Sequence, residues 1–243
     1  MTITEKQFEE ELEAFRVDTE TAAQLFYTFQ LISYSSTREK AIYSLLTQNL
    51  MFWNTIMVAL RDSMFIALGR VFDRDEQTHN IFRLLKIIEN NSHLFKSSSP
   101  RWANRSREKI SIYKPQPQDW QRLCGYVYKW NSVYLQNYKP VRDKVLAHHE
   151  RINIDKKTNL YGNTSFAELE KLFAFLDAFH KALYNLYFSG VKPIISYRRY
   201  SLLQMFAKRN LDLTDPTAGE MVALDAWKFL ERYVKKGIER KKR

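Results

Sequence analysis

One cysteine, six glycines and six prolines in 243 residues set the first limits on this chain. A lone Cys124 excludes an internal disulfide and any cysteine-based zinc cluster, which suits a reducing interior. Glycine and proline fall far below what a strand-and-turn protein spends on hairpins, so the composition favours helices. The most apolar stretch, Leu50 to Leu68, is broken by Asn54, Arg61 and Asp62 well short of the roughly 20 apolar residues a membrane span needs. The opening MTITEKQFEEE has neither the basic start nor the apolar core of a secretory signal. The expected location is therefore the cytoplasm, with no membrane partner. No tight group of histidines and carboxylates shows ligand spacing, so neither a metal nor a cofactor is expected.

What is present is apolar and basic. At 45% apolar residues the chain can bury a sizeable core, and at 14% aromatic residues it can fill that core with rings. The formal net charge of +11 favours polyanionic partners such as nucleic acid. The excess gathers at Arg101 to Lys114, at Lys192 to Arg209, and in the tail Lys235, Lys236, Arg240, Lys241, Lys242 and Arg243.

Hydrophobic periodicity predicts an all-α chain of long antiparallel helices. Apolar residues recur from Phe8 to Ile32 in a first helix over Thr4 to Ser33, and the polar link SYSST (Ser33 to Thr37) suits a short antiparallel return. A second helix runs from Arg38 to about Phe72, apolar almost all round between Leu50 and Leu68 as a helix surrounded by others would be, with one polar seam through Gln48, Asn54 and Arg61-Asp62. Asn80 or Thr78 can cap a short helix carrying Ile81, Leu84, Leu85 and Ile88. The stretch from Asn90 to Pro117 reads as a long excursion with at most a short helix around Trp102 to Ile110.

Asp119 can cap a helix from Trp120, and Pro140 either kinks that helix or starts a new one. Asn153 to Asn163 reads as a loop or short hairpin. Ser165 and Glu168 have capping-box spacing for a helix ending at Ser189 and Gly190, and Thr217 and Glu220 repeat that spacing before a last helix to about Ile238. Residues 1–190 are thus expected to form one helical bundle with an insertion at about 90–117. Residues 191–243 would be a basic extension packed on it or appended to it.

The reactive groups concentrate in VRDKVLAHHE, Val141 to Glu150. Arg142 and Asp143 precede the pair His148 and His149 at the end of a helical pattern. Six positions advance about 240° round a straight helix, so Arg142 and His148 do not share a face there, whereas seven positions favour His149. For His148 to meet Arg142, either the helix distorts near Ala147 or the two meet across a dimer. The plain structural alternative is a polar helix end that packs Arg142 against a carboxylate.

Arg142, five intervening residues and His148, closing in Leu146-Ala147-His148, resemble the Arg-x(4 to 6)-His motif of the HEPN superfamily. Phe52-Trp53 and the LGRVFD segment, Leu68 to Asp73, resemble the second helix of its abortive-infection, phage-defence branch. The resemblance covers about Glu5 to Gly190. It implies a HEPN-like bundle that dimerises so that two arginines and two histidines line one cleft, and in many members a metal-independent ribonuclease.

In that chemistry a histidine takes the proton from a ribose 2'-hydroxyl or gives one to the 5'-oxygen, while an arginine fork holds the phosphate. The candidate catalytic residues are Arg142 and His148, with His149 as the rival base. Asp143 can orient the base or fix the arginine, and Asp62 is the candidate carboxylate to pair with Arg142 or a motif histidine. Arg61, Lys144 and Arg151 are the candidate RNA-binding cations.

Expected partners are RNA, a second copy of the chain, and a cognate antitoxin or regulatory protein. The competing reading is a non-catalytic HEPN-like module that binds RNA, a nucleotide or a partner protein. His79 and His93 are expected to face water, and His180 to be a hydrogen-bonded core histidine.

Overall fold

The computed structural model describes residues 3–95, 113–147, 159–196 and 216–241. It is all-α, with no strand among the described residues. The helices are α1 (Glu5–Arg38), α2 (Lys40–Gln48), α3 (Leu50–Val71), α4 (Ile81–Asn90), α5 (Pro117–Val133), α6 (Phe166–Ser189) and α7 (Ala218–Lys241). A 3-10 turn, Ser92–Phe95, follows α4, and the chain beyond α5 stays helical to Ala147 in an irregular winding.

Contacts divide the chain into two compact units, Met1–Thr19 with Leu68–Tyr200, and Glu20–Ala67 with Ser201–Arg243. In the first, aromatic rings join the start of α1 to α5 and α6. Phe8 meets Tyr187 at 4.7 Å and Phe95 at 5.5 Å, Phe15 meets Phe179 at 5.7 Å, and Trp130 stacks on Phe175 at 5.8 Å. Leu12, Leu123, Val127, Leu172 and Leu176 fill the space between them and are almost fully buried. In the second unit α7 closes against α1 at Gly219, where a Cβ would lie 2.2 Å from the Tyr27 ring. Leu31, Ile42, Ala223 and Leu230 are buried there.

Several helix ends follow local chemistry as expected. Asn80 caps α4, its side chain accepting the Arg83 N–H at 2.8 Å. Gly190 ends α6 in the left-handed region at φ 61°, where a residue without Cβ is unstrained. Thr217 and Glu220 form their capping box, with bonds of 2.7 and 3.2 Å.

Other expectations fail for identifiable reasons. SYSST is not a link: α1 runs on to Arg38, because Ser33, Ser36 and Thr37 fold their hydroxyls back onto the carbonyls of Phe29, Ser33 and Tyr34. Asp119 is not a cap: α5 starts at Pro117 behind Gln116, and Asp119 is the third residue of that capping box, accepting the Gln116 N–H at 2.9 Å. Ser165 stands at the start of α6 but makes no side-chain cap bond, and the Glu168 carboxylate is engaged by Tyr138 and Asn137. Residues 159–162 form a helical turn rather than loop or hairpin, and residues 153–158 lie outside the described residues. The short helix expected around Trp102 to Ile110 lies outside the described residues, as do residues 197–215.

The largest correction concerns the second helical pattern. It breaks at Asn49, and α3 is not a helix surrounded by others: Leu50, Met51 and Phe52 are exposed by 55, 86 and 60%. Val58 and Ile66 are exposed too. All-round apolarity signals that a helix needs apolar neighbours, and the described residues of this chain supply few of them to its N-terminal half. Among the described residues α3 is the one helix long and apolar enough to cross a membrane, at a mean hydropathy of 1.2. Its middle carries the Arg61–Asp62 ion pair, 2.9 Å from Nε to Oδ1.

Candidate active site

The arginine of the motif is set by a disturbed helix. Proline has no N–H and its ring crowds the carbonyl four residues back, so a regular α-helix cannot pass Pro140 unchanged. The chain widens into π-helical winding over Tyr134–Tyr138, where the Lys139 N–H reaches back five residues to the Tyr134 carbonyl. One α-turn, Lys139–Val141, follows, and a second π-helical segment carries Arg142–Ala147. Such widened turns are rare and concentrate at functional sites. The winding is thus irregular on both sides of Pro140, and the second π-helical segment reaches Ala147.

Two buried tyrosines anchor the winding within the first unit. Tyr134 stacks on Phe72, with centroids 5.0 Å apart and planes 14° from parallel. Tyr138, fully buried, donates its hydroxyl to Glu168 Oε1 at 2.7 Å, and Asn137 donates to the same oxygen at 2.8 Å. Phe72 and its neighbours belong to the LGRVFD segment, so the fold joins that segment to the motif arginine. Asp73 ends the segment by accepting the backbone N–H of Arg74 at 2.7 Å.

Arg142 is half-buried and its charge is balanced at once by its neighbour. Nε donates to Asp143 Oδ1 at 2.7 Å, and Nη2 lies 2.7 Å from the same oxygen. The other oxygen, Oδ2, takes the Lys139 ammonium. Burial alone would raise the Asp143 pKa, but the bonds from Lys139 and Arg142 reverse this and hold it below the ordinary carboxylate value. Burial likewise opposes the charge on Arg142, while Tyr134 and Asp143 outweigh it and raise its pKa. Burial, with Asp143 and Asp73 adding and Arg142 opposing, pushes the Tyr134 phenol up to about 12, so it stays protonated.

The remaining sequence candidates divide plainly. Asp143 fixes the arginine. Asp62 is held by its neighbour Arg61, both partly exposed, and the carboxylate on Arg142 is Asp143. Lys144 is exposed. His148, His149 and Arg151 lie outside the described residues.

His93 is exposed, but His79 does more than face water: its Nδ1 lies 2.8 Å from Glu11 Oε2. His180 is half-buried rather than in the core, its ring 6.0 Å from that of Tyr184, and its pKa is pushed down to about 4 by burial and then by Arg16. Glu11, missed in the sequence, is nearly buried and also takes Arg83 at 2.6 Å. Its only signal was an acidic position on the apolar flank of α1. Among the described residues no three His, Cys, Asp or Glu side chains gather as metal ligands would.

Residues 5–211 match the family model for AbiU2, a HEPN-like abortive-infection family, and the chain belongs to that family. The match runs past Gly190, where the resemblance read from the sequence stopped, to position 211. No curated protein and no solved structure shows a significant match.

Proposed function

We propose that this chain is a metal-independent endoribonuclease of HEPN type, a toxin or phage-defence effector acting in the cytoplasm as a homodimer. The observation that carries the reading is the Arg142 guanidinium, oriented by Asp143 on a helix that widens on both sides of Pro140. A planar fork held in advance is what a phosphodiester needs as charge builds on its oxygens.

In this mechanism a motif histidine, His148 or its rival His149, removes the proton from the ribose 2'-hydroxyl. The 2'-oxygen bonds to phosphorus, the bond to the 5'-oxygen breaks, and a histidine returns a proton to that leaving oxygen. The products are a 2',3'-cyclic phosphate and a free 5'-hydroxyl. DNA, without the 2'-hydroxyl, is not cut. Lys144, Arg151 and Arg61 add positive charge along the RNA backbone.

A second copy of the chain is supported by the uncovered face of α3. Met51, Val58 and Ile66 recur at helical spacing on it and are exposed by 86, 46 and 45%. A stripe of that kind on one helix is what a subunit contact covers. An antitoxin or regulatory protein is the further partner expected of a toxin.

The test is cleavage of single-stranded RNA in EDTA. Arg142→Ala and His148→Ala, each folded by circular dichroism, are expected to lose about 100-fold or more, and the cut ends to carry cyclic phosphate. Equal behaviour of wild type and both variants would leave the non-catalytic binding module as the reading.

A further inference from the structure

We propose that Gly69 is a positioning residue for Arg142. A Cβ built on Gly69 would lie 2.5 Å from Arg142 Cδ and 2.8 Å from Nη1, closer than real Cβ contacts come. The arginine therefore lies flat against the backbone of α3, in space that only glycine leaves open.

The helix itself does not ask for glycine here. Gly190 is the one glycine with positive φ among the described residues, and α3 continues past Gly69 to Val71, so Gly69 is not its terminator. Glycine in a helix destabilises it relative to alanine, and something must offset that loss. Gly125 and Gly162 show the contrast, since a Cβ on either meets nothing within 4 Å.

The direction of yielding is also set. The stacked, buried pair Phe72 and Tyr134, with Leu68 and Val71 buried beside them, hold the end of α3 against the π-helical winding. The atoms in the way are the outer part of a flexible side chain. Alanine at 69 thus displaces the guanidinium and leaves the backbones where they are.

The catalytic consequence rests on the ribonuclease reading, so the experiment has two readouts. Gly69→Ala, Arg142→Ala, the double variant and Gly125→Ala are compared as full-length proteins, by cleavage of a single-stranded RNA oligonucleotide and by thermal melting. Gly69→Ala is expected to lose about 100-fold in kcat, as a misplacement of about 1 Å does, while Gly125→Ala keeps wild-type activity.

In the Arg142→Ala background Gly69→Ala is expected to raise Tm by about 2 °C, from helix propensity no longer opposed. In the wild-type background the gain is absent. Wild-type cleavage by Gly69→Ala would overturn the proposal. Should the wild-type chain cut no RNA, the ribonuclease reading fails by itself, and an equal Tm shift in both backgrounds then overturns the positioning contact.

Discussion

Arg142 and Asp143 are neighbours in sequence and partners in space, with Nε donating to Oδ1 at 2.7 Å. Consecutive residues on a regular helix point about 100° apart, so this closeness reflects side chains reaching round the widened winding. Asp143→Asn keeps the shape and removes the charge that holds both Arg142 and Lys139. RNA cleavage is expected to fall on the order of tenfold as the fork loses its orientation.

The same pair has an acid signature. The Asp143 pKa is lower in the fold than its ordinary value of 3.8, so the carboxylate contributes stability above that value and loses it as pH falls through the lower folded pKa. The melting curves of wild type and Asp143→Asn should therefore keep a constant separation above about pH 3.8 and converge as pH falls below it. A separation that stays unchanged on acidification below about pH 3.8 would show that the Asp143 charge contributes no stability.

Tyr138 and Glu168 give a prediction about stability alone. Glu168→Ala leaves a fully buried phenol, and the Asn137 amide, without their acceptor. A loss of about 1–3 kcal/mol is expected, read as a fall in Tm of roughly 3–10 °C. Tyr138→Phe, which removes the donor and leaves Glu168 its bond from Asn137, should cost less.

His180 titrates in a separate window. Its folded pKa, about 4, lies below its ordinary 6.5, so the unfolded chain binds the extra proton first as the medium is acidified. The stability it contributes is complete above pH 6.5 and drains away as pH falls toward 4. His180→Leu is expected to flatten the pH dependence of Tm across that interval, and an unchanged slope would argue against a neutral buried imidazole.

The exposed face of α3 predicts the oligomeric state. Met51→Glu with Phe52→Glu places charge on residues already exposed by 86 and 60%, so the fold should survive. Light scattering is expected to show wild-type dimer becoming monomer, with RNA cleavage lost together with the dimer. A monomeric wild type would separate the apolar face from self-association.

The all-α class and the caps at Asn80, Gly190 and Thr217 were legible because each depends on a few adjacent residues. So was the disturbance around Pro140, which follows from one missing N–H. The SYSST stretch was not, since the same hydroxyls that favour a turn can bond backwards and keep a helix going. Glu168 was read as a cap because its spacing fits one, and only the fold brings Tyr138 to it. The LGRVFD segment and the Arg142 motif were recognisable apart. Their meeting at Gly69 depends on two helices packing, which no local pattern encodes.

The π-helical winding has a consequence for how this chain tolerates change in length. A widened turn is what a helix makes of one residue more than its period accommodates. Removing a single residue between Tyr134 and Tyr138 would let the helix close into regular winding with the residues after it still in place, whereas the same loss in the regular turns of α5 would rotate them by about 100°. A deletion in the regular turns of α5 swings Arg142 off α3, and one inside the widened turn does not. The frame of the motif is therefore held in the register of the residues before it, where a comparison of residue types alone would not look.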